Sequence, residues 1–146
     1  MSIKRIRRSQ PEYELQRAIV SYIQIKYPNV LFNGSAGGVR TSMSQAMKMK
    51  ATGSSKGFPD LFIYAPRRVD EIPYCGCALE LKVKGNYPSP EQKEWILKLQ
   101  KNGYYAEVVT DYEMVINRIN WYLGSEKKSI KSKKTTKILK KNSIKK

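Results

Sequence analysis

A chain of 146 residues, 40% of them hydrophobic, is long enough for one core without disulfides or a structural metal, and no second domain is expected. Its formal charge of +16 points to a polyanionic partner or surface; ten of the 28 basic and one of the 12 acidic residues fall within 124–146, so residues 1–123 still carry 18 bases against 11 acids, or +7. With no histidine and only Cys75 and Cys77, whose spacing turns both thiols to one strand face, neither a self-contained zinc site nor a mutual disulfide is expected.

Residues 1–9 read as a basic arm with Lys4, Arg5, Arg7 and Arg8 but no apolar h-region, and no run of the sequence is long and apolar enough to span a bilayer. The expectation is a soluble, intracellular protein with no membrane partner. Pro11 suits the first turn of a helix that runs to about Lys26, with Leu15, Ile19, Tyr22 and Ile23 as its apolar stripe. Glu12 and Gln16, four residues apart, share a neighbouring face. An acid in a first turn is favoured by the helix dipole alone, and a solvated amide needs no further reason, so both residues read either as surface groups or as groups facing a site. Pro28-Asn29 ends the helix, Val30 to Phe32 predicts a short strand, and Asn33 to Gly38 predicts a flexible loop whose N–H groups are able to cradle a phosphate. That loop lacks the Gly-Lys-Ser/Thr ending of a P-loop, so no nucleotide cofactor is expected. Arg40, Lys48, Lys50 and Lys56 follow around a predicted helix at 42–51, which reads as a DNA-facing lobe or as a linker with scattered charge.

Next come two strands. Leu61, Ile63 and Ala65 alternate with Asp60, Phe62 and Tyr64; Cys75, Cys77, Leu79, Leu81 and Val83 alternate with Gly76, Ala78, Glu80 and Lys82, the pattern of a strand with one buried face. Pro66 to Tyr74 predicts the connecting loop, and its centre, residue 70, is the midpoint of Asp60 and Glu80. Antiparallel pairing then sets the two acids opposite each other on strands about 4.8 Å apart. Carboxylates that close repel unless one is protonated or a cation lies between them, and the oxygen ligands suit a hard divalent ion such as Mg²⁺, with Lys82 beside it. A surface charge cluster on a strand remains the alternative.

After a turn at 84–88, Ser89 is a good N-cap, Pro90 stands at N1 and Gln92 at N3 completes a capping box. Trp95, Ile96 and Leu99 form the stripe of that helix, and Gly103 closes it at C′. A strand at 104–110 and a helix carrying Val115, Ile116, Ile119, Tyr122 and Leu123 complete the order, which predicts an α/β fold, a small mixed β-sheet flanked by helices. Beyond Gly124 the sequence is lysine-rich and too poor in apolar residues for a core, so the expected parts are an arm at 1–9, a domain at 10–123 and a tail at 124–146 that adds salt-sensitive phosphate contacts.

Pro59-Asp60 followed by Glu80-Leu81-Lys82 resembles the PD-(D/E)XK nuclease signature. Glu12 with Leu15-Gln16, Gly53 and Gly57, Gln92, and Gly103-Tyr104 resemble its virus-type replication-repair nuclease (VRR-NUC) branch, over about Glu12 to Leu123. The resemblance implies a restriction-endonuclease-like core and Mg²⁺-dependent hydrolysis of DNA phosphodiesters, with Mn²⁺ able to substitute. It implies Asp60, Glu80 and the Leu81 carbonyl as metal ligands, Glu12 as an additional or water-bridged ligand, Lys82 as the group that orients water or neutralises charge, and Gln92 as a residue positioning water or phosphate. Gln16, Arg40, Lys48, Lys50, Lys56 and Lys84 are candidates for nucleic-acid binding. Small stand-alone members resemble homodimeric enzymes of branched DNA such as four-way junctions, acting within a host cell where viral. The competing readings are a flap or nonspecific nuclease, a non-catalytic basic DNA-binding protein, and an RNA-cleaving toxin.

Overall fold

The computed structural model describes residues 10–35 and 41–124. The expected arm, most of the expected tail, and Arg40 lie outside the described residues. Pro11–Lys26 forms α1, Phe32–Gly34 β1, Met43–Ala51 α2, Leu61–Ile63 β2, Arg67–Val69 β3, Ile72–Tyr74 β4, Cys77–Lys82 β5, Pro90–Lys101 α3, Tyr105–Thr110 β6 and Tyr112–Gly124 α4. Four strands make a mixed sheet in the order β1-β2-β5-β6, antiparallel except for the parallel pair β5 and β6, and β3 and β4 make a separate two-stranded sheet. This is the α/β architecture expected from the element order. Among the described residues no helix is long and apolar enough to cross a membrane.

The β2–β5 register pairs Leu61 with Leu79, Phe62 with Ala78 and Ile63 with Cys77, which sets Asp60 opposite Glu80 one step beyond the end of β2. The connection between these strands is not the simple loop expected over Pro66 to Tyr74. It is a tight hairpin, β3–β4, that turns on Asp70 (φ 49°) and Glu71 (φ 67°), both in the left-handed region, and it buries Val69 in the core. The first strand also differs from expectation, running from Phe32 through Gly34 because Asn33 and Gly34 pair with Phe62 and Leu61. A side chain at Gly34 would bring its Cβ within 3.1 Å of Gln16 Nε2, so glycine keeps the strand close to α1. Within the described part of the expected phosphate loop, the Ser35 N–H is already donated to the Asp60 carbonyl (2.8 Å).

Strand β5 has two buried faces, not the one its alternation suggests. Cys77, Leu79 and Leu81 face a core shared with Leu15, Ile19 and Ile23 of α1 and Val115, Ile119, Tyr122 and Leu123 of α4. Ala78, on the other face, packs with Phe62, Ala106, Ile96 and Leu99 beneath α3. A strand in mid-sheet with helices on both sides has no solvent face, so what reads as a polar edge is an interior. Tyr22, expected in the buried stripe of α1, is only half-buried, and its hydroxyl donates to Asn120 Oδ1 on α4 at 2.8 Å.

Candidate active site

Glu80 and Lys82 are 1% and 7% exposed, and alternation along β5 puts both on the α3 side of the sheet. Burying two opposite charges is tolerable only if they are paired. Lys82 Nζ lies 2.9 Å from Glu80 Oε1 and 3.6 Å from Glu12 Oε1. Gln92 Nε2 also donates to Glu80 Oε1. The direction of that amide is not free: the α3 capping box commits Gln92 Oε1 to Ser89 N–H (2.7 Å), so the amino end faces Glu80. Glu80 Oε2 is buried and accepts no hydrogen bond.

Asp60, at the entrance to β2, reaches across to β5, where Oδ2 accepts from Leu81 N–H at 2.9 Å. A strand residue presents its N–H and C=O to the same flank, so the Leu81 carbonyl opens on the side where β2 has ended and Asp60 stands. The main chain of Asp60 is itself held, its carbonyl accepting from Gln16 Nε2 (2.9 Å) and from Ser35 N–H. Gln16 also donates to Ser35 O at 3.2 Å, so it ties α1 to both segments beside the site. Glu12, in the first turn of α1, accepts from Asn86 Nδ2 at 2.9 Å and stands near Lys82.

The electrostatics follow from this crowding. Burial pushes the Glu80 carboxyl up to about 7, with Asp60 adding to the rise while the Lys82 hydrogen bond opposes it. Burial raises Asp60 as well, against the pull of Leu81 N–H and Lys82, and Glu12 adds to the rise. For Lys82 burial works toward a lower value, but the ion pair with Glu80 and the fields of Glu12 and Asp60 outweigh it, and its pKa is raised. The site therefore holds a lysine locked in its charged form beside two carboxyl groups whose burial outweighs the partners they have.

Glu12, Gln16, Asp60, Glu80, Lys82 and Gln92 line one open cleft of about 580 Å³, with Lys56 also on its wall. Six residues picked from separate stretches of sequence thus meet at one place, between the N-terminal turns of α1 and α3 and the adjoining ends of β2 and β5. Lys84, Lys48 and Lys50 are exposed and do not line the cleft. Asn86 and Tyr13 do line it and were not anticipated. Asn86 sits in a segment whose Gly and Pro announce a turn, and Tyr13 lies beside the α1 stripe, so neither carries a signal beyond its local role. Trp95, expected in the α3 stripe, is half-buried; Nε1 donates to Lys56 O at 3.1 Å and the ring meets Phe58 edge-on at 5.2 Å, which fastens the segment before Pro59 to α3.

The model of the VRR-NUC domain matches residues 4–111. This chain belongs to the VRR-NUC family. Among solved structures, a VRR-NUC domain protein is 30% identical, with a TM-score of 0.65 over 80% of this chain and 90% of its own. No curated protein matches the chain. VRR-NUC proteins are a nuclease family, which makes DNA the implied substrate, and PD-(D/E)XK-type nucleases generally use a divalent metal.

The VRR-NUC donor set here fits a hard cation in its chemistry. Two carboxylates, one with an oxygen that is buried and without a donor, adjoin the carbonyl of Leu81 on the Asp60 side of β5, and all are oxygen ligands. Among the described residues no group of three His, Cys, Asp or Glu side chains is gathered as a metal cluster, and Glu12 is engaged by Asn86 and Lys82. Protein oxygens would therefore supply only part of a shell, as is usual for Mg²⁺, which keeps several waters.

Proposed function

We propose that this VRR-NUC protein is a divalent-metal-dependent endonuclease that hydrolyses phosphodiesters in branched DNA, four-way junctions above all, as a homodimer. The observation that carries the reading is the buried Glu80–Lys82 pair beside Asp60, where Glu80 lines an open cleft and its buried Oε2 is left without a donor. A structural salt bridge has no need of a second carboxylate whose presence raises the pKa of the first.

Asp60, Glu80 and the Leu81 carbonyl are the groups that would hold Mg²⁺ or Mn²⁺, with Glu12 reaching it through water. When bound, the ion supplies Lewis-acid polarisation of the phosphate and lowers the pKa of water. Lys82 keeps its proton and presents a fixed positive charge where negative charge gathers on the phosphoryl oxygens. Gln92 fixes the orientation of Glu80, and Gln16 fixes the main chain at Asp60. Lys56 on the cleft wall, together with Lys48, Lys50, Lys84 and Arg40, contacts the flanking phosphates. The catalytic domain is residues 10–123, and the basic segments at 1–9 and 124–146 add salt-dependent affinity. One cleft serves one strand, so a twofold pair of chains supplies the two cuts that a junction requires.

The test is a panel of four-way junction, flap, linear duplex and RNA, incubated with wild type, Asp60→Ala and Lys82→Ala in Mg²⁺, Mn²⁺ or EDTA. Junction cleavage by wild type alone, and only with metal, is expected. A wild type that leaves every substrate whole in both metals overturns the enzyme reading, and preferred cutting of flap or RNA reassigns its substrate.

A further inference from the structure

In helix α2 every one of the nine residues is exposed. Met43 and Met47 are 86% and 72% exposed, and their i, i+4 spacing puts them on one stripe that Lys50 continues. The helix is held at its start by the Ser42–Gln45 capping box and at its end by the Thr52 hydroxyl, which donates to Lys48 O and Met49 O at 3.0 Å each. Local bonds of this kind leave so short a helix marginal, as isolated helices under about 12–15 residues are in water even in favourable sequences. The missing stabilisation is burial, and the face that would supply it is apolar along one line and cationic beside it.

We propose that α2 is an insertion element for DNA, in which Met43 and Met47 lie against bases unstacked at a branch point while Lys48 and Lys50 take the flanking phosphates. The inference rests on the DNA-cleaving reading above and adds to it the means of selecting branched DNA. Three observations commit the face to DNA. No acidic residue occurs between Glu14 and Asp60, whereas Arg40, Lys48, Lys50 and Lys56 all do, so this stretch of chain carries one sign of charge, with Lys56 paired to Glu91 of α3 at 2.8 Å. A second copy docked on the same helix would set these lysines against their own duplicates; a polyanion meets no such repulsion. The reach is also right: α2 ends at Ala51, and the chain to Lys56 on the cleft wall spans at most about 18 Å, or roughly five base pairs of duplex.

Methionine suits the task, being unbranched and able to fill irregular gaps, and apolar side chains of this kind wedge between base steps in other DNA complexes. Wedging costs unstacking energy in an intact duplex and far less where stacking is already broken. Discrimination in favour of branched DNA follows without any contact to base edges.

The experiment uses the full chain labelled with ¹³C at the methionine methyls, mixed with a four-way junction in EDTA so that binding is read without cleavage. The expected result is that the Met43 and Met47 methyl signals shift and broaden with bound junction while that of Met114 on α4 does not, and that α2 amides exchange at least tenfold more slowly in the complex. The Met43→Gln, Met47→Gln double variant, which removes two exposed side chains and keeps good helix formers, is expected to bind the junction about tenfold more weakly and unbranched duplex within about twofold of wild type. Junction binding that leaves both methyls unmoved overturns this inference and leaves the nuclease reading intact. Methyl shifts that follow protein concentration without DNA assign the face to a second copy and likewise overturn it. A wild type that binds no DNA at all overturns both.

Discussion

The raised carboxyl of Glu80 makes the metal-free protein less stable as pH rises. Its folded value is about 7 against an ordinary 4.5, so the folded state binds this proton more tightly than the unfolded state does. The stabilisation from that proton is fully present below pH 4.5 and is lost as pH rises through 7. The difference corresponds to about 3 kcal/mol, at 1.36 kcal/mol per pKa unit. Asp60, also raised, works in the same direction. The informative comparison is with Glu80→Gln, which keeps an oxygen for Lys82 and Gln92, removes the ionisation and leaves every other group common to both proteins. Urea unfolding in EDTA at pH 4.5 and 7.5 is expected to show wild type losing about 3 kcal/mol more than the variant between the two pH values, or about 1.5 M in midpoint at a slope near 2 kcal/mol/M. Added Mg²⁺ should restore the loss in wild type at pH 7.5 and do little for the variant. Parallel pH dependences for the two proteins would refute the claim that Glu80 is held in an environment hostile to its charge.

Four further changes test the packing, the site and the basic C-terminal segment. Gly57→Ala is expected to cost about 2–4 kcal/mol in thermal or urea unfolding, because Gly57 has φ 84° and a Cβ there would stand 2.6 Å from the Glu91 carbonyl carbon; Gly53→Ala, at φ 95° with nothing within 4 Å, should cost only about 1 kcal/mol, and equal losses would refute the packing argument. Gln92→Glu keeps an acceptor for Ser89 N–H but sets a third carboxylate against Glu80, so the helix should persist by circular dichroism while kcat/KM falls about 10- to 100-fold; unchanged turnover would remove Gln92 from the site. Deleting residues 124–146, which hold ten lysines, should flatten the salt dependence of DNA affinity by about 0.9 in log–log slope for each phosphate that is no longer neutralised, and an unchanged slope would mean the segment touches no phosphate.

The parts of this fold that the sequence announces are those set by local rules. Alternation in 60–65 and 75–83 locates β2 and β5, and the symmetry of the intervening segment about residue 70 fixes their register, which is how Asp60 and Glu80 can be placed opposite each other from the sequence alone. The same symmetry hides the β3–β4 hairpin, because Asp70-Glu71 takes the positive φ values that Asn-Gly usually signals. What the sequence conceals most is burial. Gly76, Ala78, Glu80 and Lys82 look like a solvent face, and only the closure of α3 over that side, through Ile96 and Leu99, makes it an interior. The family resemblance points to Glu80 and Lys82 as a site, but their near-complete burial, which sets their electrostatics, depends on contacts with residues far away in the chain.

Gln92 shows why a structural and a functional explanation of one residue need not compete. Its place at N3 of α3 accounts fully for the carbonyl end of its amide, which accepts from Ser89 N–H. An amide has a second end of opposite polarity, and once the cap has taken the acceptor, only the donor remains to face inward. It meets Glu80 Oε1, already paired with Lys82, so both donors near this carboxylate fall on one oxygen and Oε2 is the unspent atom. A helix cap thus decides which oxygen of a buried acid is available, and any change to the start of α3 that alters the cap acts on the acid as well. Gly57, pressed against Glu91 and the main-chain nitrogen of Gln92, ties the Pro59-Asp60 segment to the same turn. The two acids are therefore positioned by one piece of packing.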